Sequence, residues 1–280
     1  MGVKTERLKV RFPSAPDQYD QLGEAVFRND LERILDTLSG TFASLKQEIE
    51  DELTGPIFPT VTGTREFRLV SKDLALVAEG IDVASWIDKW SGYDFAGGTT
   101  NPQYNLNIFG ELPGVQFDGA TDRLFVDRGA QATPGAFTFF FAFKTPSAWP
   151  ANNNTLLQLS DAAGANRQSV VARRNAGSFR LAWWDTTGGW KESATTLATD
   201  TSYILSAASD NSDMLFKVNG GTVEDLGNPT LQLMEVFNLG SSFAETEPVG
   251  AYFGEVILYS TKLSDADVVL VEEYLRKVYQ

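Results

Sequence analysis

The chain has 280 residues and contains neither cysteine nor histidine, which excludes disulfides, thiolate chemistry, the imidazole of a Ser-His-Asp triad and the usual zinc or iron ligands. Chemistry by carboxylates, Lys, Ser, Thr or Tyr remains open, as does calcium held by oxygen ligands. A formal charge of -14, with a pI near 4.5, repels phosphate backbones, so no nucleic-acid partner is expected.

A hydrophobic share of 42%, with 12% aromatic, can supply one large core beside a smaller element. No run of about 20 apolar residues is available to span a bilayer. The opening Met1-Gly2-Val3-Lys4-Thr5-Glu6-Arg7 lacks the apolar stretch of a signal peptide. A soluble protein made in the cytoplasm, without membrane insertion, is therefore expected.

Residues 1–16 read as an extended arm. Leu8, Val10 and Phe12 alternate with Arg7, Lys9 and Arg11, and Pro13 and Pro16 oppose a helix. A strand with no hairpin partner nearby is expected to pair with another subunit or another protein, which makes Leu8, Lys9, Val10, Arg11 and Phe12 the candidate docking residues.

Residues 17–59 change to a helical pattern followed by a linker. Leu31, Leu38 and Leu45 recur every seven residues, with Leu35, Phe42 and Ile49 as the companion row, forming an a/d seam. The seam implies self-association, and a homotrimer is expected. The other use of such a helix is to lie with its apolar face on its own domain. Gly55-Pro56 and Pro59 then end the helix and mark the domain boundary.

Residues 60–280 read as β. Phe137, Phe139, Phe141 and Phe143 alternate with Thr138, Phe140, Ala142 and Lys144, so one face is wholly aromatic and must be buried against an opposing sheet. Phe179, Leu181 and Trp183 repeat the arrangement, as do Met214, Phe216 and Val218. Turn chemistry at Asp118-Gly119, Gly188-Gly189, Asn219-Gly220 and Gly227-Asn228-Pro229 punctuates the strands. Such short strands predict a mainly β, antiparallel sandwich. Only the last segment is helical, with Ser264 as N-cap, Asp267 in the first turn, and Val268, Val271, Leu275 and Val278 on one face.

Three segments in order, Trp86-Ile87-Asp88-Lys89-Trp90-Ser91-Gly92, Gly114-Val115-Gln116-Phe117-Asp118-Gly119, and Gly254-Glu255-Val256-Ile257-Leu258-Tyr259 running into the capped helix, resemble the laminin-G-like, concanavalin A-like jelly-roll family. The resemblance covers residues 60–280. It implies a binding or structural module more often than an enzyme. It also implies that Trp86 sits in the core while Asp88 and Ser91 tie a structural corner. The basic arm, the seam helix and the terminal jelly roll together resemble phage virion appendages: tail fibres, head fibres and capsid decoration proteins. The virion as localisation, other virion proteins as partners of the arm, and a host-surface glycan as ligand are implied by that likeness. The competing expectation is a non-viral lectin-like module or a glycoside hydrolase.

Glycosidases on this scaffold place two carboxylates at alternating strand positions, and no E-x-D-x-E pattern occurs on any predicted strand. Glu48, Glu50 and Glu52 fall on the helix, Glu255 stands alone on its strand and Asp185 closes another. No catalytic residue is assigned. Trp149, Trp183, Trp184 and Trp190 lie near Asn152, Asn153, Asn154 and Asp185. If Trp183 shares the inner face with Phe179 and Leu181, Trp184 points outward and suits stacking on a sugar. Trp149, Trp184, Asp185 and Trp190 are the candidate glycan-binding residues, with the sandwich edge or a subunit contact as the other use of these aromatics. Asp122, Asp127, Asp210 and Asp213 are available to calcium, but no loop resembles an EF-hand. Neither metal nor cofactor is assigned.

Overall fold

The computed structural model describes residues 58–74, 78–130, 135–150, 153–175, 177–231 and 234–280, together with Arg33, Asp36, Thr37 and Gly40. Backbone contacts divide the chain into two compact units, Met1–Gly55 and Pro56–Gln280. In the first unit the four described residues are helical and exposed. The expected arm (Leu8 to Phe12) and seam (Leu31, Leu35, Leu38, Phe42, Leu45 and Ile49) lie outside the described residues.

In the second unit the chain runs through β1 (Arg65–Val70), a 3-10 turn at Ser71–Asp73, β2 (Ile81–Asp82), β3 (Ser85–Ile87), β4 (Asp94–Gly97), β5 (Gln103–Phe109), β6 (Leu112–Asp118), β7 (Leu124–Asp127) and β8 (Phe137–Lys144). It continues through β9 (Asn154–Ser160), β10 (Arg167–Asn175), β11 (Ser178–Asp185), β12 (Gly189–Leu197), β13 (Ser202–Ser209) and β14 (Met214–Val218). After β15 (Glu224–Asp225), β16 (Val236–Leu239) and β17 (Gly250–Tyr259) it ends in helix α1 (Asp265–Tyr279).

The strands form two antiparallel sheets. One has nine strands in the order β15-β14-β13-β8-β17-β6-β5-β2, with β1 also on β17; the other has eight in the order β12-β11-β10-β9-β16-β7-β4-β3. Strand β17 serves two neighbours along one edge, pairing Gly250 to Phe253 with β6 and Glu255 to Tyr259 with β1. Consecutive strands β9 to β12 are joined as hairpins, so their register follows from tight local turns.

Phe137, Phe139, Phe141 and Phe143 are completely buried and meet Leu181, Trp183 and Phe216 in the main core. Trp183 stacks on Phe137 at 5.3 Å. The alternate positions of β8 are buried as well. Phe140 and Ala142 pack with Ile257, Tyr259, Val271, Tyr274, Leu275 and Tyr279 in a second cluster, because α1 covers the outer face of the nine-stranded sheet. The Ser264 hydroxyl caps α1 by accepting from the Asp267 amide at 3.2 Å.

Trp86 is buried and donates its indole N–H to the Val70 carbonyl. The Asp88 carboxylate beside it accepts from the amides of Trp90, Ser91 and Tyr93 at 2.7, 3.0 and 2.7 Å. Ser91 donates to the Glu66 carbonyl. Both polar residues of the Trp-Asp-Ser-Gly segment are therefore spent on holding the corner.

Candidate functional site

Period-2 alternation places Phe179, Leu181 and Trp183 of β11 in the core and leaves Arg180, Ala182 and Trp184 on the opposite face of the eight-stranded sheet. Pairing then decides what stands beside Trp184. It lies opposite Trp190 of β12 on one side and Ser169 of β10 on the other, and Ser169 lies opposite Gln158 of β9. Gln158, Ser169, Trp184 and Trp190 thus form one row across four strands. They line a hollow of about 140 Å³ together with Arg167, Val171 and Glu247.

The floor of this hollow is polar. Gln158 and Ser169 are 1% and 2% exposed, and the Gln158 side-chain amide donates to the Ser169 hydroxyl at 3.1 Å. The Gln158 carbonyl oxygen accepts from the Phe243 amide at 2.6 Å, which fixes the orientation of the side chain. The walls are aromatic and half-buried. Trp184 and Trp190 have ring centroids 6.3 Å apart at an angle of 53°. The Arg167 guanidinium lies 5.0 Å from the Trp184 centroid and the Arg173 guanidinium 4.5 Å from that of Trp190. Arg173 is also ion-paired with Glu192.

The chain between β16 and β17 bounds one side. Its Thr155 contacts, an amide to the Glu247 carbonyl at 3.1 Å and a hydroxyl to Glu247 Oε2 at 3.3 Å, tie it to β9. Farther along, Arg123 donates to the Phe243 carbonyl and to Glu245, and Glu245 accepts from Thr99. A floor of oriented hydrogen-bonding groups below two tilted indole faces can hold a small ring that is polar at its edge and apolar on its face.

Two expected members of the site stand elsewhere. Asp185 is completely buried, and its Oδ1 accepts from the amides of Thr187 and Gly188, so it ties the β11–β12 turn and offers no surface to a ligand. Trp149 stacks on Phe179 at 4.9 Å and lines a separate hollow of about 560 Å³ with Arg174 and Leu197. Asn154 is buried and Asn152 lies outside the described residues. Gln158, Arg167, Ser169 and Glu247 are not among the residues expected from the sequence; Arg167 and Ser169 share one face of β10 by alternation, but the neighbours they meet depend on register.

A second polar cleft, of about 500 Å³, is lined by Asp82, Thr99, Gln103, Gln116, Asp118 and Asp122 among others. Burial pushes the Asp122 carboxyl upward, against the Thr100 hydroxyl and Asp118 amide that it accepts from. Burial acts on Asp118 too, yet three backbone amides, of Thr121, Ala120 and Asp122, hold it below the usual carboxylate range. These bonds close the Asp118–Asp122 turn. Asp127 accepts from the Gly129 amide, and Asp210 and Asp213 converge on Lys262. Among the described residues no three acidic side chains are grouped to hold a metal ion.

No family model matches the sequence, and no curated protein matches it. Solved structures do. The sandwich is similar to domain 4 of AbnA, a GH43 extracellular arabinanase from Geobacillus stearothermophilus solved with arabinotriose: TM-score 0.56, 13% identity, covering 78% of this chain and 99% of that one. An arabinofuranosidase complexed with arabinofuranosyl-alpha-1,2-xylobiose gives TM-score 0.58 at 8% identity, over 79% of this chain and 60% of that one. Trypanosoma rangeli sialidase gives 0.52 at 15%, over 86% and 39%. At these identities the likeness is one of fold, and it establishes this chain as a two-sheet β-sandwich of the kind that such proteins contain.

Proposed function

We propose that the sandwich is a saccharide-binding module without catalytic activity, carried on a homotrimeric virion appendage of the tail-fibre, head-fibre or capsid-decoration type. The observation that carries the binding is the row of Gln158, Ser169, Trp184 and Trp190, in which two outward indoles stand over an oriented amide and hydroxyl. The relatives in fold are supportive, since AbnA domain 4 and the arabinofuranosidase were solved with saccharides. The laminin-G-like assignment is supported by the Asp88-centred corner. Support for the virion comes from the sequence alone: the alternating arm at Leu8 to Phe12, which would dock on other virion proteins, and the Leu31 to Ile49 seam, which would trimerise the chain.

Catalysis is the weaker alternative, because Asp118 Oδ1 and Asp122 Oδ2 accept from amides of the turn that contains them and Asp122 Oδ1 accepts from the Thr100 hydroxyl, so this carboxylate pair is tied to structural bonds. A glycan array on the full chain tests the assignment. Trp184→Ala and Trp190→Ala should each weaken binding about tenfold, the scale of one lost aromatic contact, and no sugar should be released on prolonged incubation. Sugar release would replace the module with a hydrolase. Binding unchanged in both variants would remove this face from the site. Immuno-electron microscopy of purified particles tests the virion placement, and particles without label would refute it.

A further inference from the structure

The outward positions of β10 and β11 beside Trp184 carry basic side chains in a chain that is acidic overall. The protein has 37 acidic and 23 basic side chains, yet the outward positions of β10 and β11 include Arg167, Arg173 and Arg180. Glu192 neutralises Arg173. Among the described residues neither Arg167 nor Arg180 has an ion-pair partner, and the Arg180 Nε is buried without a hydrogen-bond acceptor.

Arg167 is the informative one. It lines the 140 Å³ hollow, it is half-buried, and its guanidinium is held 5.0 Å from the Trp184 centroid. None of its five N–H donors meets an acceptor among the described residues. In a chain rich in acidic side chains, a half-buried cation that lines a small polar hollow and meets no acceptor among the described residues is suited to an anion, although Glu247 lines the same hollow. The planar guanidinium matches a carboxylate in bidentate fashion. At about 140 Å³ the hollow is small, on the scale of one sugar unit and not of a longer chain. Glu247 Oε2 is already engaged by Thr155, leaving Oε1 as an acceptor for a hydroxyl, and the Ser169 hydroxyl and Gln158 amide complete the polar floor.

We propose that this site selects acidic saccharides: a sugar unit bearing a carboxylate places that group on Arg167, its apolar ring face on Trp184 and Trp190, and its hydroxyls on Ser169 and Glu247. A neutral sugar closing the same hollow leaves the guanidinium desolvated without a charged partner, and that cost supplies the selectivity. This rests on saccharide binding at this face, and deepens it.

Calorimetry on the full chain tests it with trigalacturonic acid against its carboxyl-reduced neutral counterpart, and with 3'-sialyllactose against lactose. The acidic member of at least one pair should bind about tenfold or more tighter, the scale of one charge-assisted hydrogen-bonding pair. The preference should weaken as salt rises. Arg167→Gln should bring the members of that pair within about twofold while Trp184→Ala weakens both. Equal binding of both members of each pair by the unsubstituted protein would overturn the acidic assignment and leave saccharide binding standing, a result that needs no variant to fold. A preference for 3'-sulfolactose with none for either carboxylate would overturn the carboxylate. Binding of no saccharide, acidic or neutral, would remove saccharide binding and this selectivity together.

Discussion

Replacing Arg68 with methionine removes the cation from a carboxylate that has no access to water. Glu255 is completely buried on β17, and Arg68 of β1 donates through Nε to its Oε1 at 2.5 Å. Tyr274 and Tyr279 of α1 donate to Oε2 at 3.3 and 3.2 Å, and Arg68 also donates to the Tyr274 hydroxyl. The Phe58 ring lies 3.9 Å from the guanidinium carbon. One network therefore joins β1, β17, α1 and the entrance to the sandwich. Breaking such a pair from one side costs about 3–5 kcal/mol, because the other charge stays buried. For a unit of this size that corresponds to a fall in Tm of roughly 6–20 °C.

All six tryptophans lie between Trp86 and Trp190, so intrinsic fluorescence in urea reports the sandwich alone. The pH dependence has a definite sign. Burial pushes the Glu255 carboxyl above its ordinary range, and the Arg68 charge opposes that push. Without Arg68 the folded value rises further. The folded state then binds more protons than the unfolded one between the ordinary value, about 4.3, and the raised one. Stability of the variant is greatest below the ordinary value and is lost as pH rises through the raised one, so the deficit against wild type shrinks on acidification. A loss below about 1 kcal/mol at neutral pH, the range of exposed pairs, or a deficit that grows on acidification, would refute a buried pair at this position.

Other consequences are equally direct. Gly240→Ala should destabilise the sandwich by about 1–3 kcal/mol from overpacking alone, since the glycine has φ +80° and a Cβ there would meet Phe117 Cδ1 at 1.9 Å; an unchanged urea midpoint would contradict this placement. The Asp210 carboxyl should titrate at about 2, held down first by the Ser212 hydroxyl and then by Lys262. NMR titration should show the midpoint rise in Ser212→Ala, and the stability this group contributes should be present above its ordinary value and lost as pH falls through about 2. If the seam trimerises the chain, light scattering on the full protein should give a trimer that Leu38→Asp combined with Leu45→Asp reduces to a monomer, each buried seam leucine contributing about 1.5–3 kcal/mol; a monomeric wild type at micromolar concentration would refute the seam.

Alternation makes much of the sandwich legible in the sequence. The inward phase of Phe137, Phe139, Phe141 and Phe143, the opposite phases of Trp183 and Trp184, and the Ser264 cap are local properties, set by the period of an extended chain or by a side chain reaching its own next turn. What surrounds those residues is not local. Phe140 reads as the outward partner of a core face, yet it is buried because α1, more than 120 residues later, folds over that sheet. Asp185 looks available beside an exposed indole, but the turn at Thr187 and Gly188 closes over it. Trp149 is near the tryptophan pair in sequence and joins Phe179 in space. The row from Gln158 to Trp190 exists because β9, β10, β11 and β12 pair in one register, and a slip of one residue would turn each of those side chains to the other face. Which face a side chain takes is written in its own strand, while which neighbours it meets follows from hydrogen-bonded register and from the layer packed above, and both of those are decided by contacts between distant parts of the chain.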